Sequence, residues 1–322
     1  MRAVVFERAG EPHEVLHLVD TAKPQVSPGS ALVRVAARPI QPADLAFVRG
    51  QYRIRPAFPQ TAGLEGSGVV VQAGASGSIA EDDRVAFRSP GTWADFAAIP
   101  IARLIKVPAG VPDDAACQIS LNPVTAWALL REASVNPGDW IVLTAATSTV
   151  SNLVGVLARR RGVRVIGLVR GDEEAARARC TAGHILSTDR PSLAAEIGGI
   201  AGKRSVKALL DSVGGQLIPP LFETLTPGGR IIAYGVQDRG PAAVTNAMLI
   251  YSNLTWQGFG IDRWLEQLAP VESQTMYDEL WEMLRDGTLT LPVAATHGLA
   301  DFPDALKVDA AQGRTGKVIL VS

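Results

Sequence analysis

Apolar and polar positions follow two different rhythms along this chain. Up to about residue 112 the apolar residues come in short runs set off by Gly, Pro and acidic turns. Such runs predict strands, here over residues 3–6, 15–19, 31–36, 69–71, 83–87 and 92–99. Residues 42–48 predict one or two helical turns, ended by Gly50. From Asp113 to about Phe259 the rhythm changes, and apolar strands (140–144, 163–169, 208–211, 230–234, 254–258) alternate with helical patterns at 150–161, 173–181 and 216–225. That alternation predicts a parallel, doubly wound sheet, so the chain is read as an α/β protein. The tail predicts helices over 272–285 and 302–311 and a closing strand over 317–321. A terminal strand needs a sheet to join, so the tail is expected to return to the first domain and make it discontinuous.

The pattern is sharpest over residues 139–171. An apolar run leads into the turn Ala145-Ala146-Thr147-Ser148-Thr149. A helix with Val150, Leu153, Val154 and Leu157 on one face follows, then Gly162 and a second apolar strand. Strand, turn, helix, strand is the unit that holds a dinucleotide pyrophosphate at a helix N-terminus. The turn lacks the glycines that usually provide positive φ and close backbone approach, so the motif by itself leaves a ligand-free βαβ unit open.

Composition narrows the classes. A chain of 322 residues suits about two domains on the prior of roughly 100–200 residues each. With 47% hydrophobic and 20% charged residues it can bury a large core, and a net charge of −1 gives no footprint for nucleic acid or an anionic membrane. No apolar run is long enough to span a bilayer, and the opening reads as a strand rather than a signal peptide. The cysteines, Cys117 and Cys180, have ordinary helical surroundings, which points to a reducing, cytoplasmic setting.

Candidate chemistry is scattered. Arg170 follows the second strand of the βαβ unit, where an arginine suits the 2′-phosphate of NADP and an acid would suit the ribose of NAD. Asp172 and Glu173 close by suit a helix cap and first turn. Asp211-Ser212-Val213-Gly214-Gly215 and Tyr234-Gly235 follow apolar strands at the expected ligand-bearing edge. His13 and His17 stand four apart but in a probable strand with no third ligand nearby, so no metal site is assigned. Gly63-Leu64-Glu65-Gly66-Ser67-Gly68 runs into a strand and reads as a tight structural turn. Tyr52, judged alone, reads as a packing residue in a loop.

Together these stretches resemble the medium-chain dehydrogenase/reductase superfamily over essentially the whole chain. The marks are Ile40-Gln41-Pro42-Ala43-Asp44, Gly63-Leu64-Glu65-Gly66, Asp83-Arg84-Val85, Asn122-Pro123-Val124-Thr125-Ala126, Pro137-Gly138-Asp139 and Gly316-Lys317-Val318. The resemblance implies a discontinuous GroES-like β domain (residues 1–121 with 268–322) carrying the substrate, and a Rossmann domain (122–267) carrying NADPH. It also implies a homodimer. Leu64 stands where zinc alcohol dehydrogenases have a histidine, and Ile40 lies near their ligand cysteine, so the likeness is to the zinc-free quinone oxidoreductase and 2-enoyl thioester reductase branch.

A finer likeness is to the mitochondrial-type trans-2-enoyl thioester reductases, through Gly50-Gln51-Tyr52, Gly91-Thr92-Trp93, Leu168-Val169-Arg170, Tyr234-Gly235, Gly258-Phe259 and Trp264. It makes Tyr52 the candidate catalytic group. It assigns cofactor contacts to Thr125, Thr147, Ser148, Thr149, Val150, Arg170, Tyr234, Gly235, Phe259 and Lys317, and pocket positions to Gln41, Trp93 and Trp264. The expected activity is NADPH-dependent reduction of an α,β-unsaturated carbonyl compound, with a 2-enoyl thioester as the candidate substrate. The alternatives are quinone reduction and, because Thr149 and Ser151 replace the family's glycines, a non-catalytic binding protein of the same fold.

Overall fold

β-branched runs form the strands of this chain, and glycine appears where two backbones must come close. The computed structural model describes residues 1–74, 78–311 and 313–322. They form two compact units, Met1–Leu121 with Leu280–Ser322, and Asn122–Glu279.

The first unit opens with β1 (Arg2–Phe6), α1 (Pro12–Val15), β2 (His17–Asp20), β3 (Ser30–Pro39) and α2 (Pro42–Val48). β4 (Gln60–Thr61), β5 (Glu65–Ala73), β6 (Arg84–Arg88), β7 (Phe96–Pro100), β8 (Leu104–Lys106) and α3 (Asp113–Ala116) follow. The second unit comprises α4 (Asn122–Glu132), β9 (Trp140–Leu143), α5 (Thr149–Arg160), β10 (Arg164–Val169), α6 (Glu173–Arg177), β11 (His184–Ser187) and α7 (Leu193–Ala201). It continues through β12 (Val206–Asp211), β13 (Leu225–Ala233), α8 (Asn246–Ile250), β14 (Thr255–Gly258), α9 (Ile261–Gln267) and the start of α10 (Pro270–Arg285). β15 (Val293–Gly298), α11 (Phe302–Ala310) and β16 (Lys317–Val321) then complete the first unit.

Its larger sheet runs β15-β16-β3-β5-β6-β8, with β7 also on β3, and a small sheet runs β2-β1-β4. The closing strand pairs antiparallel with β3, Ile319 opposite Pro39 and Val321 opposite Ala37. Phe6, Ile40, Phe47, Leu64, Trp93, Val318 and Leu320 meet in one apolar cluster, so the two ends of the chain share a core. Each large side chain so enclosed contributes about 1.5–3 kcal/mol.

The second unit is a six-stranded sheet in the order β11-β10-β9-β12-β13-β14, parallel at every pairing. Its strand order reverses between β9 and β12, and such a crevice at the strands' carboxyl ends is where open α/β sheets take ligands. Val142, Ile166, Leu168, Leu209 and Ile231 form its core.

Local departures from the sequence expectations have physical causes. The 15–19 segment splits, α1 ending at Val15 before β2 begins at His17. Thr92 and Trp93 precede rather than start β7, because Trp93 turns into the core and its carbonyl accepts from Val4. The 216–225 stretch forms two short 3-10 turns, Gly215–Leu217 and Pro219–Thr224, since Pro219 and Pro220 lack the donors an α-helix needs. The glycine-rich 63–68 stretch turns at Gly63 alone (φ +86°), while Gly66 and Gly68 lie inside β5. A Cβ on Gly68 would stand 2.1 Å from the Arg34 carbonyl of β3, so glycine there permits close strand contact.

Candidate cofactor and catalytic site

In the second unit, the chain from β9 to α5 makes its turn with hydroxyls. Ala145 takes φ +46°, the left-handed region that favours glycine. Ser148 caps α5, its Oγ accepting from the Ser151 backbone N–H at 3.3 Å. The side chain that turns inward is Ser151, only 1% exposed. Its hydroxyl donates to the Thr144 carbonyl at 3.1 Å and lies 3.0 Å from Ser148 Oγ and 3.1 Å from the Tyr234 hydroxyl. Burial pushes the Tyr234 phenol's pKa up, and the charge of Asp211 adds to this, while hydrogen bonds from neighbouring serines oppose it. The expected contacts Thr147, Thr149 and Val150 are half-buried around the same turn.

Asp211, which the sequence places in a strand-end turn at the expected ligand-bearing edge, pins this edge of the sheet. Buried at the end of β12, it accepts from Thr144 Oγ1 at 2.8 Å and from the backbone N–H groups of Val213 and Gly214. Thr144 Oγ1 in turn accepts from the Ser212 N–H at 2.8 Å. The buried Ser212 side chain is one of the serines beside the Tyr234 phenol. Arg170, at the carboxyl end of β10, is exposed and forms no ion pair with a described residue. The cap, the inward hydroxyls and the unpaired Arg170 fit a phosphate-bearing dinucleotide.

Thr125 is buried on α4, and Phe259 is held at the end of β14 by its N–H to the Ala233 carbonyl. Trp264 on α9 packs edge-on to Trp127 and lies 6.3 Å from Phe259. Its indole N–H donates to Glu132 at 2.9 Å, and Arg131 lies over its ring. Trp264 is thus anchored by α4 rather than free-standing.

The first unit gathers the remaining candidates around a buried polar cluster. Tyr52 packs against the unit's apolar core, and its hydroxyl accepts from Arg88 at 2.7 Å. Gln41 is buried, giving its amide to Glu65 at 3.0 Å while its backbone N–H donates to Asp44 at 2.7 Å. Ser120 donates to the other Glu65 oxygen at 2.8 Å. Burial raises the Glu65 pKa, against hydrogen bonds from Ser120 and Gln41 and the charges of Arg88 and Lys317. The fully enclosed Asp44 is pushed up to about 7 by burial, and the nearby Glu65 charge adds to this. Burial lowers Lys317 in turn. Trp93 lies wholly inside the core.

Ser151, Asp211, Arg88 and Glu65 are the site features that residue-by-residue reading missed. Ser151 had a signal, as a hydroxyl residue opening the helix after a turn that lacks glycine. Glu65 had one too, as an acid in an apolar, glycine-rich run. Asp211 had its place at the end of an apolar strand, and Arg88 had no signal short of the strand pairing.

Comparison with known proteins agrees with this layout. Residues 27–109 match the alcohol dehydrogenase GroES-like domain, and residues 149–282 match the zinc-binding dehydrogenase family. The mitochondrial enoyl-[acyl-carrier-protein] reductase of Dictyostelium discoideum is 29% identical over 99% of this chain and 94% of its own. The chain belongs to the medium-chain dehydrogenase/reductase superfamily. Among solved superfamily structures, a quinone oxidoreductase of Pseudomonas syringae is similar at TM-score 0.86 and 27% identity, covering 100% of this chain and 99% of that one. A mycobacterial protein complexed with NADPH is similar at TM-score 0.85 and 25% identity, covering 100% of both chains. Although one matching family is described as zinc-binding, no group of three or more His, Cys, Asp or Glu that could hold a metal occurs among the described residues. No helix among them is long and apolar enough to cross a membrane.

Proposed function

We propose that this protein is a zinc-independent, NADPH-dependent reductase of carbon–carbon double bonds conjugated to a carbonyl, with 2-enoyl thioesters as the substrate class. The observation that carries the cofactor half is the unpaired Arg170 guanidinium at the end of β10, in the same βαβ unit as the hydroxyl-lined start of α5. Arg170 would hold the 2′-phosphate. Ser148, Thr149, Val150 and the N–H groups of the first α5 turn would hold the pyrophosphate, with Thr147, Tyr234 and Gly235 alongside. Thr125 and Phe259 are assigned to the nicotinamide end, and Lys317 to the cofactor. Bound NADPH supplies a hydride to the β-carbon of the substrate.

The chain's own contribution is charge control at the carbonyl. Negative charge grows on that oxygen as the β-carbon is reduced, and the Tyr52 phenol is the group we assign to stabilise it or to protonate the α-carbon. Gln41, Trp93 and Trp264 are assigned to the substrate pocket rather than to chemistry; Gln41 and Trp93 are buried within the first unit. The alternative, quinone reduction, takes support from the quinone oxidoreductase likeness. Quinones need no dedicated acid, so under that alternative Tyr52 would be dispensable.

Turnover of a 2-enoyl thioester and of a simple quinone, by the native protein and by Tyr52→Phe, separates the readings. Our reading expects Tyr52→Phe to lose most thioester turnover with NADPH affinity kept. Undiminished thioester turnover would remove the role of Tyr52. No NADPH binding at millimolar concentration would favour a non-catalytic protein. We also assign a homodimer and a cytoplasmic setting, which sedimentation and fractionation test.

A further inference from the structure

The Tyr52 phenol has a partner that the superfamily likeness did not supply. Arg88, the last residue of β6, donates from its guanidinium to the Tyr52 hydroxyl oxygen at 2.7 Å across 36 residues of sequence. A guanidinium has donors and no acceptor, so it cannot take the phenol's own proton. No described residue accepts that proton either. With one lone pair engaged by Arg88, the O–H is left to point elsewhere.

Arg88 stands directly opposite Glu65 in the β5–β6 ladder, where paired residues put their side chains on one face of the sheet. Glu65 is 1% exposed and fixed by Gln41 and Ser120, and its charge interacts with that of Arg88. Arg88 and Glu65 are thus ladder neighbours whose charges interact, and the Arg88 guanidinium holds the phenol oxygen. We propose that Arg88 is a positioning residue for the Tyr52 donor, so that the phenol meets the substrate carbonyl as an oriented donor beside a positive charge. This inference rests on the assignment of Tyr52 to the enoyl reductase reaction.

A double-mutant cycle over Tyr52→Phe and Arg88→Gln, with Arg88→Lys and Arg88→Ala alongside, tests it on a 2-enoyl thioester. Loss of one charge-assisted hydrogen bond predicts that Arg88→Gln lowers kcat by about 10- to 100-fold, with the KM for NADPH unchanged. Arg88→Lys should retain an intermediate kcat. Added guanidinium ion should restore part of the kcat of Arg88→Ala. Arg88→Gln should cost nothing further once Tyr52 is Phe, and guanidinium should not rescue the Tyr52→Phe, Arg88→Ala double variant. The positioning role is overturned if Arg88→Gln keeps full kcat while Tyr52→Phe is impaired. It is overturned too if the two losses multiply, or if guanidinium rescues without the phenol. If Tyr52→Phe itself is fully active, the underlying assignment fails and this one falls with it.

Discussion

Ser151 is the residue on which the unusual turn depends, and its replacement gives a prediction with a definite order. The hydroxyl sits at 1% exposure with three partners, the Thr144 carbonyl, Ser148 Oγ and the Tyr234 hydroxyl. Ser151→Ala removes all three contacts and takes the hydroxyl donor from the carbonyl of the buried Thr144. Net hydrogen-bond values and the penalty for a buried unsatisfied group together put the loss at about 1–3 kcal/mol. Ser151→Gly, which restores the family's residue, adds roughly 0.5–1 kcal/mol for glycine within a helix. For a unit of this size each kcal/mol lowers the melting temperature by about 2–4 °C. Calorimetry should therefore rank native above Ser151→Ala above Ser151→Gly. A Ser151→Gly protein that melts at or above the native one would show that the hydroxyl crowds the turn, and would refute this reasoning.

Three further outcomes follow from the same structure. Arg170→Gln should raise the KM for NADPH by about 10- to 100-fold and leave that for NADH nearly unchanged, as steady-state kinetics with the two cofactors would read. Folding should take up a proton at Asp44, because the folded carboxyl keeps its proton to about 7 while an unfolded aspartate releases it near about 3.9. Stability from this group is thus full at low pH and falls as pH rises through that window, and Asp44→Asn should flatten the denaturation-versus-pH curve there. The Cys117 thiol is buried, with its pKa driven up first by burial and then by Glu65, so a thiol reagent should modify it only on unfolding.

Much of the architecture was legible because period and length agree in the strongest segments. α5 shows Leu153, Val154 and Leu157 buried at helical spacing, and Gly162 follows at φ +68°. The closing strand was legible for the same reason, as a short apolar run with nowhere to go but a sheet. β11 and α7 escaped notice because His184–Ser187 is short and half polar, and Leu193–Ala201 is diluted by Gly198 and Gly199. The site was legible only where chemistry is local. Ser148, Thr149 and Arg170 sit in one βαβ unit, whose geometry follows from sequence order. Tyr52 with Arg88, Thr144 with Asp211, and Trp264 with Glu132 meet across 36, 67 and 132 residues. Those encounters depend on strand order and register, which no local pattern encodes.

The central claim is that the chain reduces the double bond of a 2-enoyl thioester at the expense of NADPH. Mass spectrometry of the product formed with NADPH deuterated at the transferable position tests it most directly. The account predicts a saturated thioester carrying one deuterium, located at the β-carbon, with formation sharply slowed in Tyr52→Phe. Absence of any saturated product while a quinone is still reduced, or deuterium at the α-carbon, would contradict it.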